Sequence, residues 1–297
     1  MAEPIEGRIL KALSGFWYVD TREGLLECRA RGLLRLRGVT PLVGDLALVQ
    51  PLGGGKGSLV DLLPRKNAFV RPACANLDAL VILASAVKPV TDPYLLDRMI
   101  AIAELKDCEP VLCFHKSDLG RATAMAELYR SAGFTVVETS SATGEGLEEL
   151  RQALRGRLCA FTGNSGVGKS SLLNALCRDL DLATGEISLK LGRGRHTTRH
   201  VELFSLGDGI LAADTPGFAA FETEDMALEL KRRLPELFRE FRPYLGECRF
   251  SDCSHVRDAG CAVLEAMEAG KIAGSRHESY VRLREELRKV EEWSMRD

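Results

Sequence analysis

The hydrophobic and polar positions divide the chain into three stretches of different character. In residues 1–70, short apolar runs at 15–19, 24–28 and 44–49 are separated by closely spaced glycine and proline turns. This spacing predicts a small antiparallel β-domain. At this length an OB-type barrel is the first candidate, and an SH3-like barrel is the alternative.

Residues 71–225 alternate buried-type strands with helices. The run 79–85 is continuously apolar, and residues 92–107 have helical periodicity, with Asp92 as N-cap and Pro93 in the first turn. Further strands are predicted at 110–114, 134–138, 157–162 and 209–213, and further helices at 122–132 and 147–154. This alternation predicts an α/β domain with a parallel sheet. Residues 226–297 are charged and helical, so three domains are predicted, at 1–70, 71–225 and 226–297.

A phosphate-binding loop follows the strand at 157–162. The segment matches the pattern G-x-x-x-x-G-K-[ST] in full and leads into a helical sequence, which is the context that the motif requires. Lys169 is expected to contact the β- and γ-phosphates, and Ser170 to bind Mg²⁺. The predicted loop residues are Gly163, Asn164, Ser165, Gly166, Val167, Gly168, Lys169, Ser170 and Ser171.

The strand at 209–213 ends in Asp-Thr-Pro-Gly, residues 214–217. Asp214 is placed to hold Mg²⁺ through water, and the backbone N–H of Gly217 to contact a γ-phosphate. These are also ordinary turn residues, so the prediction depends on the phosphate loop.

Guanine binding is predicted from two segments that precede the phosphate loop. The strand at 110–114 ends in His115-Lys116-Ser117-Asp118, which resembles the Asn-Lys-x-Asp motif of GTPases. Asp118 keeps the carboxylate that binds guanine, and Lys116 keeps the stem that packs on the base. His115 replaces the usual asparagine, which puts affinity in question more than specificity. A simple capping turn is the alternative.

A small-residue loop, Thr139–Leu147, resembles the fifth GTPase motif and offers Ser141 and Ala142 as base contacts. The base-binding segments therefore come first, then the phosphate loop, then Asp-Thr-Pro-Gly. Ordinary GTPases have the opposite order, so the sequence predicts a circularly permuted P-loop GTPase. The permutation places residues 226–297 directly after the predicted γ-phosphate sensor at 214–217. Loss of the γ-phosphate is therefore expected to change the conformation of residues 226–297.

Four metal-ligand residues lie within 14 positions of the C-terminal stretch: Cys248, Cys253, His255 and Cys261. Three thiolates and one imidazole suit a closed tetrahedral site, so one structural Zn²⁺ is predicted. A chance grouping of buried thiols and a capping histidine is the alternative.

The composition bears on the cellular compartment of the protein and on the classes of partner that it can bind. A formal net charge of -2 argues weakly against a general nucleic-acid binder, although basic stretches at 29–37 and 190–199 can meet phosphate or form a solvated face. The remaining cysteines have no disulfide pattern, and no apolar run approaches the ~18 residues that cross a bilayer. A cytoplasmic protein without a membrane partner is expected.

The permuted order, the phosphate loop, the segment Gly-Arg-His-Thr-Thr at 194–198 and the cysteine–histidine cluster resemble the bacterial small-subunit-dependent GTPases of the RsgA, or YjeQ, family. The resemblance implies a monomeric GTP hydrolase in late maturation of the small (30S) ribosomal subunit, which binds that subunit and its rRNA and is stimulated by it. It also implies that His196 positions the attacking water, since Phe218 cannot, and that Thr198 or Thr197 meets Mg²⁺. His196 facing solvent or RNA is the alternative.

Two other functions stay open at this stage. A P-loop ATPase or nucleotide kinase would share the phosphate loop, and a non-catalytic RNA-binding scaffold would use nucleotide only as a clamp. If the chain is instead a GTPase like those of the RsgA family, rRNA contacts are expected on the barrel, the basic segment at 190–199 and the zinc domain. The aromatic residues 16–18 would supply a stacking face or pack in the core.

Overall fold

The computed structural model of the chain describes residues 3–30, 38–70, 73–178, 201–214 and 224–294. Its strands are β1 (Ile5–Leu13), β2 (Phe16–Thr21), β3 (Gly24–Ala30), β4 (Leu46–Gly53), β5 (Lys56–Leu62), β6 (Ala68–Val70), β7 (Ala73–Ala75), β8 (Ala79–Ala84), β9 (Glu109–His115), β10 (Thr135–Thr139), β11 (Leu158–Gly163), β12 (Glu202–Gly207) and β13 (Ile210–Asp214). Its helices are α1 (Pro93–Leu105), α2 (Thr123–Ser131), α3 (Leu147–Leu154), α4 (Lys169–Arg178), α5 (Glu224–Arg233), α6 (Ala262–Glu268) and α7 (Gly274–Ser294).

The chain forms two compact units. The first comprises Met1–Leu80, Arg151–Thr162 and Ser170–Phe221, and the second comprises Val81–Leu150, Gly163–Lys169 and Glu222–Asp297. The three domains expected from the sequence remain a prediction. None of the helices in the described residues combines the length and the apolar character needed to cross a bilayer.

In the first unit, β1 to β5 close into a five-stranded barrel. The strand order is β1-β2-β3-β5-β4, and β4 pairs back onto β1. All these pairs are antiparallel except β3 with β5, which is parallel. Apolar residues at alternate positions, such as Ile5 and Ile9 or Ala47 and Val49, fill the interior. This arrangement confirms the OB-type barrel expected from the spacing of the short runs.

The three aromatic residues of β2 have different surroundings. Trp17 packs against the barrel core, and the guanidinium of Arg29 lies 4.5 Å from the centre of the Phe16 ring. The Tyr18 hydroxyl donates to Glu27 at 3.1 Å. Core packing therefore accounts for Trp17, as the alternative interpretation expects.

The same unit contains the strand that leads to the phosphate loop. β1 pairs with β12 at Lys11 and Glu202, whose side chains form an ion pair of 3.2 Å. β12 runs antiparallel to β13, and β13 runs parallel to β11. Parallel strands end at the same edge of a sheet, so Asp214 lies at the edge where β11 ends.

The second unit contains the strand order β10-β9-β8, in which β10 and β9 run parallel. Helix α1 begins as predicted, with the Asp92 carboxylate accepting from the N–H of Tyr94 at 3.0 Å and Pro93 in the first turn. The carboxyl ends of β9 and β10 lie side by side, with His115 opposite Thr139. This pairing brings the two predicted base-binding segments together.

The C-terminal helices also belong to the second unit. Phe238, Phe241 and Tyr280 form their aromatic core, with ring centres 5.0–5.5 Å apart. Beside this core the side chain of Arg276, which is 1% exposed, pairs with Asp97 of α1 and with Glu240. A second arginine, Arg239, donates to Glu104 and Glu109.

Candidate nucleotide-binding site and metal cluster

Asp118 lies at the surface with one carboxylate oxygen already held. Its Oδ1 accepts from the hydroxyl of the buried Ser140 at 2.6 Å. The same Ser140 hydroxyl accepts from the N–H groups of Ala142 and Thr143 at 3.2 Å each. The loop after β10 therefore orients a carboxylate that keeps further lone pairs for a ligand's N–H groups.

A second pair of contacts joins the same two loops. The Ser117 hydroxyl donates to Glu145 at 2.8 Å, and Arg121 also donates to Glu145. These hydrogen bonds lower the pKa of Glu145. The carboxylate thus stays charged and ties the segment after β9 to the segment before α3.

Lys116 connects the predicted base-binding segment to the predicted phosphate loop. Its backbone has a φ of 66°, which is uncommon for a residue with a side chain. The Nζ donates to the carbonyl oxygens of Gly166, at 2.9 Å, and Lys88, at 3.1 Å. Two motifs 50 residues apart in sequence are thereby joined directly.

The phosphate loop has the strand–turn–helix context that the sequence predicts, between β11 and α4. Val167 is fully buried, whereas Ser165 and Gly166 are exposed at the turn. Gly168 has a φ of 107°, and a Cβ there would lie 2.4 Å from Cδ2 of His115. Only glycine suits this position, both for its backbone and for its neighbour. Lys169 is the first residue of α4, and Ser170 and Ser171 follow on its exposed first turn.

The four metal-ligand residues of the C-terminal stretch meet at one place. Their ligand atoms all lie within 4.8 Å of one another. The Sγ atoms of Cys248 and Cys261 are 3.9 Å apart, and His255 Nδ1 lies 3.6 and 3.5 Å from them. A zinc tetrahedron with ordinary bond lengths has S–S edges of about 3.8 Å and S–N edges of about 3.6 Å. The four side chains therefore fit zinc.

Helix α7 supports the loop that carries these ligands. His277 Nε2 lies 2.7 Å from the carbonyl oxygen of His255, and the Tyr280 hydroxyl donates to the carbonyl of Ser254 at 2.8 Å. His255 itself has a φ of 58°, a conformation that needs such support. Outer contacts of this kind are what keeps metal ligands in position.

Comparison with known proteins agrees with these features. A family model described as RsgA GTPase matches residues 62–224, and one described as RsgA N-terminal domain matches residues 6–59. The chain belongs to the RsgA GTPase family.

Relatives named small ribosomal subunit biogenesis GTPase RsgA match almost the whole chain. The protein from Caldanaerobacter subterraneus subsp. tengcongensis is 45% identical over 97% of this chain and 98% of its own length. The protein from Geobacillus thermodenitrificans is 47% identical over 93% and 95%.

Two solved structures of the same kind share the fold. The crystal structure of YloQ, a circularly permuted GTPase, has a TM-score of 0.81 and 33% identity, with 96% of each chain covered. YjeQ from Thermotoga maritima has a TM-score of 0.80 and 34% identity, with 96% of this chain and 98% of that chain covered. The permuted fold expected from the order of motifs is confirmed.

Several of the residues predicted for the RsgA-type site are brought together in the second unit. His115, Lys116 and Asp118 lie with Ser141 and the loop residues Gly166 and Gly168. The predicted residues His196, Thr197, Thr198 and Gly217 lie outside the described residues. Asp214 is described as the last residue of β13.

Ser140, Ser117 and Glu145 were missed by the sequence prediction. The predicted neighbour Ser141 directs its hydroxyl to His115, whereas Ser140 holds Asp118. The available signal was position, because Ser140 is the first residue after β10 and loops that follow parallel strands carry binding residues.

Proposed function

We propose that the chain hydrolyses GTP to GDP and phosphate, a reaction at a phosphoanhydride bond, during maturation of the small ribosomal subunit. The single observation that carries the proposal is the contact of Lys116 Nζ with the Gly166 carbonyl at 2.9 Å. It links the base-binding loop to the phosphate loop, so one nucleotide can span both. Membership of the RsgA family supports the same activity.

In this proposal Asp118 accepts hydrogen bonds from guanine N1 and N2, and the stem of Lys116 packs on the base. Lys169 and the N–H groups of residues 163–170 bind the β- and γ-phosphates, where the positive end of α4 adds to the attraction. Ser170, Thr198 and Asp214 would hold Mg²⁺, which neutralises charge on the phosphates. His196 would position the attacking water, and Gly217 would contact the γ-phosphate.

The C-terminal cluster is proposed to hold one structural Zn²⁺. Four protein ligands leave no open coordination position, so the metal would stabilise the loop around residues 248–261 rather than react. The proposed partners are the small subunit and its rRNA, which the chain would meet as a monomer in the cytoplasm. Relatives named small ribosomal subunit biogenesis GTPase support this assignment.

An ATPase is less well supported, because Asp118 is held in place by Ser140 at 2.6 Å, an arrangement suited to guanine. A non-catalytic scaffold is less well supported, because the relatives of the chain are named GTPases. The deciding experiment measures GTP and ATP hydrolysis with small subunits, large subunits or neither. Stimulation of GTP hydrolysis by small subunits alone is expected, with the preference for GTP lost in Asp118→Asn. Equal use of ATP, or no turnover with any subunit, would contradict the proposal.

A further inference from the structure

His115 occupies the position where GTPases usually have asparagine, and its side chain is buried at 4% exposure. Nδ1 lies 2.9 Å from Thr139 Oγ1, and Nε2 lies 2.9 Å from Ser141 Oγ. Both hydroxyls belong to the end of β10 and the loop after it. The imidazole of His115 therefore forms hydrogen bonds through both of its nitrogens with the segment at 139–141, which lies beside the end of β9.

Each of these hydroxyls suits a neutral imidazole. A neutral ring donates through one nitrogen and accepts through the other, and a hydroxyl can take either role. Burial lowers the pKa of His115, and the nearby Lys116 lowers it further, which favours the neutral form. The hydrogen bonds are thus complete without a contact to solvent or to a ligand.

The carbon edge of the same ring lies against the phosphate loop. A Cβ added at Gly168 would stand 2.4 Å from Cδ2 and 2.9 Å from Nε2 of His115. Since both ring nitrogens are engaged with Thr139 and Ser141, the ring supports Gly168 by packing alone. Three segments of the candidate site, at 115–118, 139–142 and 163–168, therefore meet at this side chain.

We propose that His115, with Ser141 as its hydrogen-bonded partner, is a positioning residue that holds both base-binding loops against the phosphate loop without touching the nucleotide. This inference rests on the proposed function, since it assigns a task within that site. An asparagine has a shorter side chain, which can keep the contact with Thr139 but does not extend to Ser141. The pair His115–Ser141 is then one unit, and its two members should act together.

A double-mutant cycle tests the pairing, with GDP in the presence of Mg²⁺ as the titrated ligand. Loss of two hydrogen bonds in His115→Ala should weaken GDP binding by about 10- to 30-fold, at roughly 1 kcal/mol per bond. Ser141→Ala should weaken binding about fivefold in the native background but less than about twofold when combined with His115→Ala or His115→Asn. In turnover assays the weaker binding should appear mainly as a higher KM for GTP and to a smaller extent in kcat, since the ring touches no reacting atom.

Ser131→Ala is the matched control, because its hydroxyl donates only to Leu128 on the exposed side of α2. It should leave GDP affinity unchanged. The positioning role is overturned if Ser141→Ala weakens binding equally in all three backgrounds, or if His115→Ala binds GDP normally.

If His115→Ala does not fold, the pairing is tested by the effect of Ser141→Ala on GDP affinity in the native and the His115→Asn backgrounds. A smaller effect in the His115→Asn background supports the pairing, and an equal effect overturns it. Absence of GDP binding by the unaltered chain would overturn the proposed function together with this inference. Normal GDP binding without coupling between the two positions would overturn this inference only.

Discussion

Replacing the buried Arg276 by methionine should strongly destabilise the second unit. The guanidinium donates to Asp97 Oδ1 at 2.5 Å and to the two Glu240 oxygens at 2.6 and 3.1 Å. Asp97 Oδ1 also accepts from the Tyr129 hydroxyl at 2.7 Å, but Oδ2 has no hydrogen-bond partner among the described residues. Methionine keeps much of the arginine's volume and leaves the two carboxylates without their cation.

The expected loss follows from the burial of the partners. The side chains of Asp97 and Glu240 are 1% and 8% exposed, so water cannot replace the guanidinium. Breaking a buried ion pair by removing one member costs about 3–5 kcal/mol of unfolding free energy. Arg282 of the same helix is the matched control, since it is 57% exposed and its carboxylate partners lie 3.6 and 3.7 Å away. Arg282→Met should cost less than about 1 kcal/mol.

Urea unfolding followed by circular dichroism measures both variants, with an unchanged m-value as the check that the transitions are comparable. Adding Asp97→Asn to Arg276→Met should recover roughly 1 kcal/mol or more, because it removes one uncompensated charge. If Arg276→Met is at least as stable as Arg282→Met, the buried ion pairs of Arg276 do not stabilise the second unit.

Three other changes have defined outcomes. Cys261→Ser should release zinc and lower the thermal midpoint by several degrees or more, as seen by metal analysis and calorimetry; unchanged zinc content would contradict the ligand set. Gly168→Ala should abolish GDP binding in titration, whereas Gly144→Ala, with a similar positive φ but open space around it, should bind GDP within about threefold. The pKa of His115 is lower in the folded chain than in the unfolded chain, so near pH 6.5 the unfolded chain binds more protons. The contribution of His115 to the free energy of unfolding is therefore fully present above pH 6.5 and is lost as the pH falls through the folded pKa. Unfolding free energies from pH 5 to 8 should therefore rise less with pH in His115→Asn than in the native chain, and parallel curves would exclude this titration.

Local chemistry made much of the fold predictable. The start of α1 depends on Asp92 and Pro93, which act within one turn, and the phosphate loop has a pattern that specifies its own strand and helix. The closure of the barrel was harder to predict from the sequence, because the parallel pairing of β3 with β5 joins residues far apart in the chain. Short alternating runs predict that a barrel forms but do not choose its strand order.

The candidate site was predicted at the level of motifs and less well at the level of contacts. Which of two adjacent serines holds Asp118 depends on the turn after β10, where Ser140 N–H bonds to the Glu145 carbonyl at 3.0 Å. A sequence pattern does not contain that turn. The ion pairs of Arg276 likewise join residues 179 and 36 positions apart, beyond the reach of any local rule.

The most direct measurement is a crystal structure of the chain with Mg²⁺ and a non-hydrolysable GTP analogue. We expect guanine N1 and N2 within hydrogen-bonding distance of the Asp118 carboxylate, and the β- and γ-phosphates of the same molecule on Lys169 Nζ. An analogue whose phosphates occupy the loop while its base lies away from Asp118 would show that the two predicted segments do not bind one nucleotide, as would an analogue bound at a different surface.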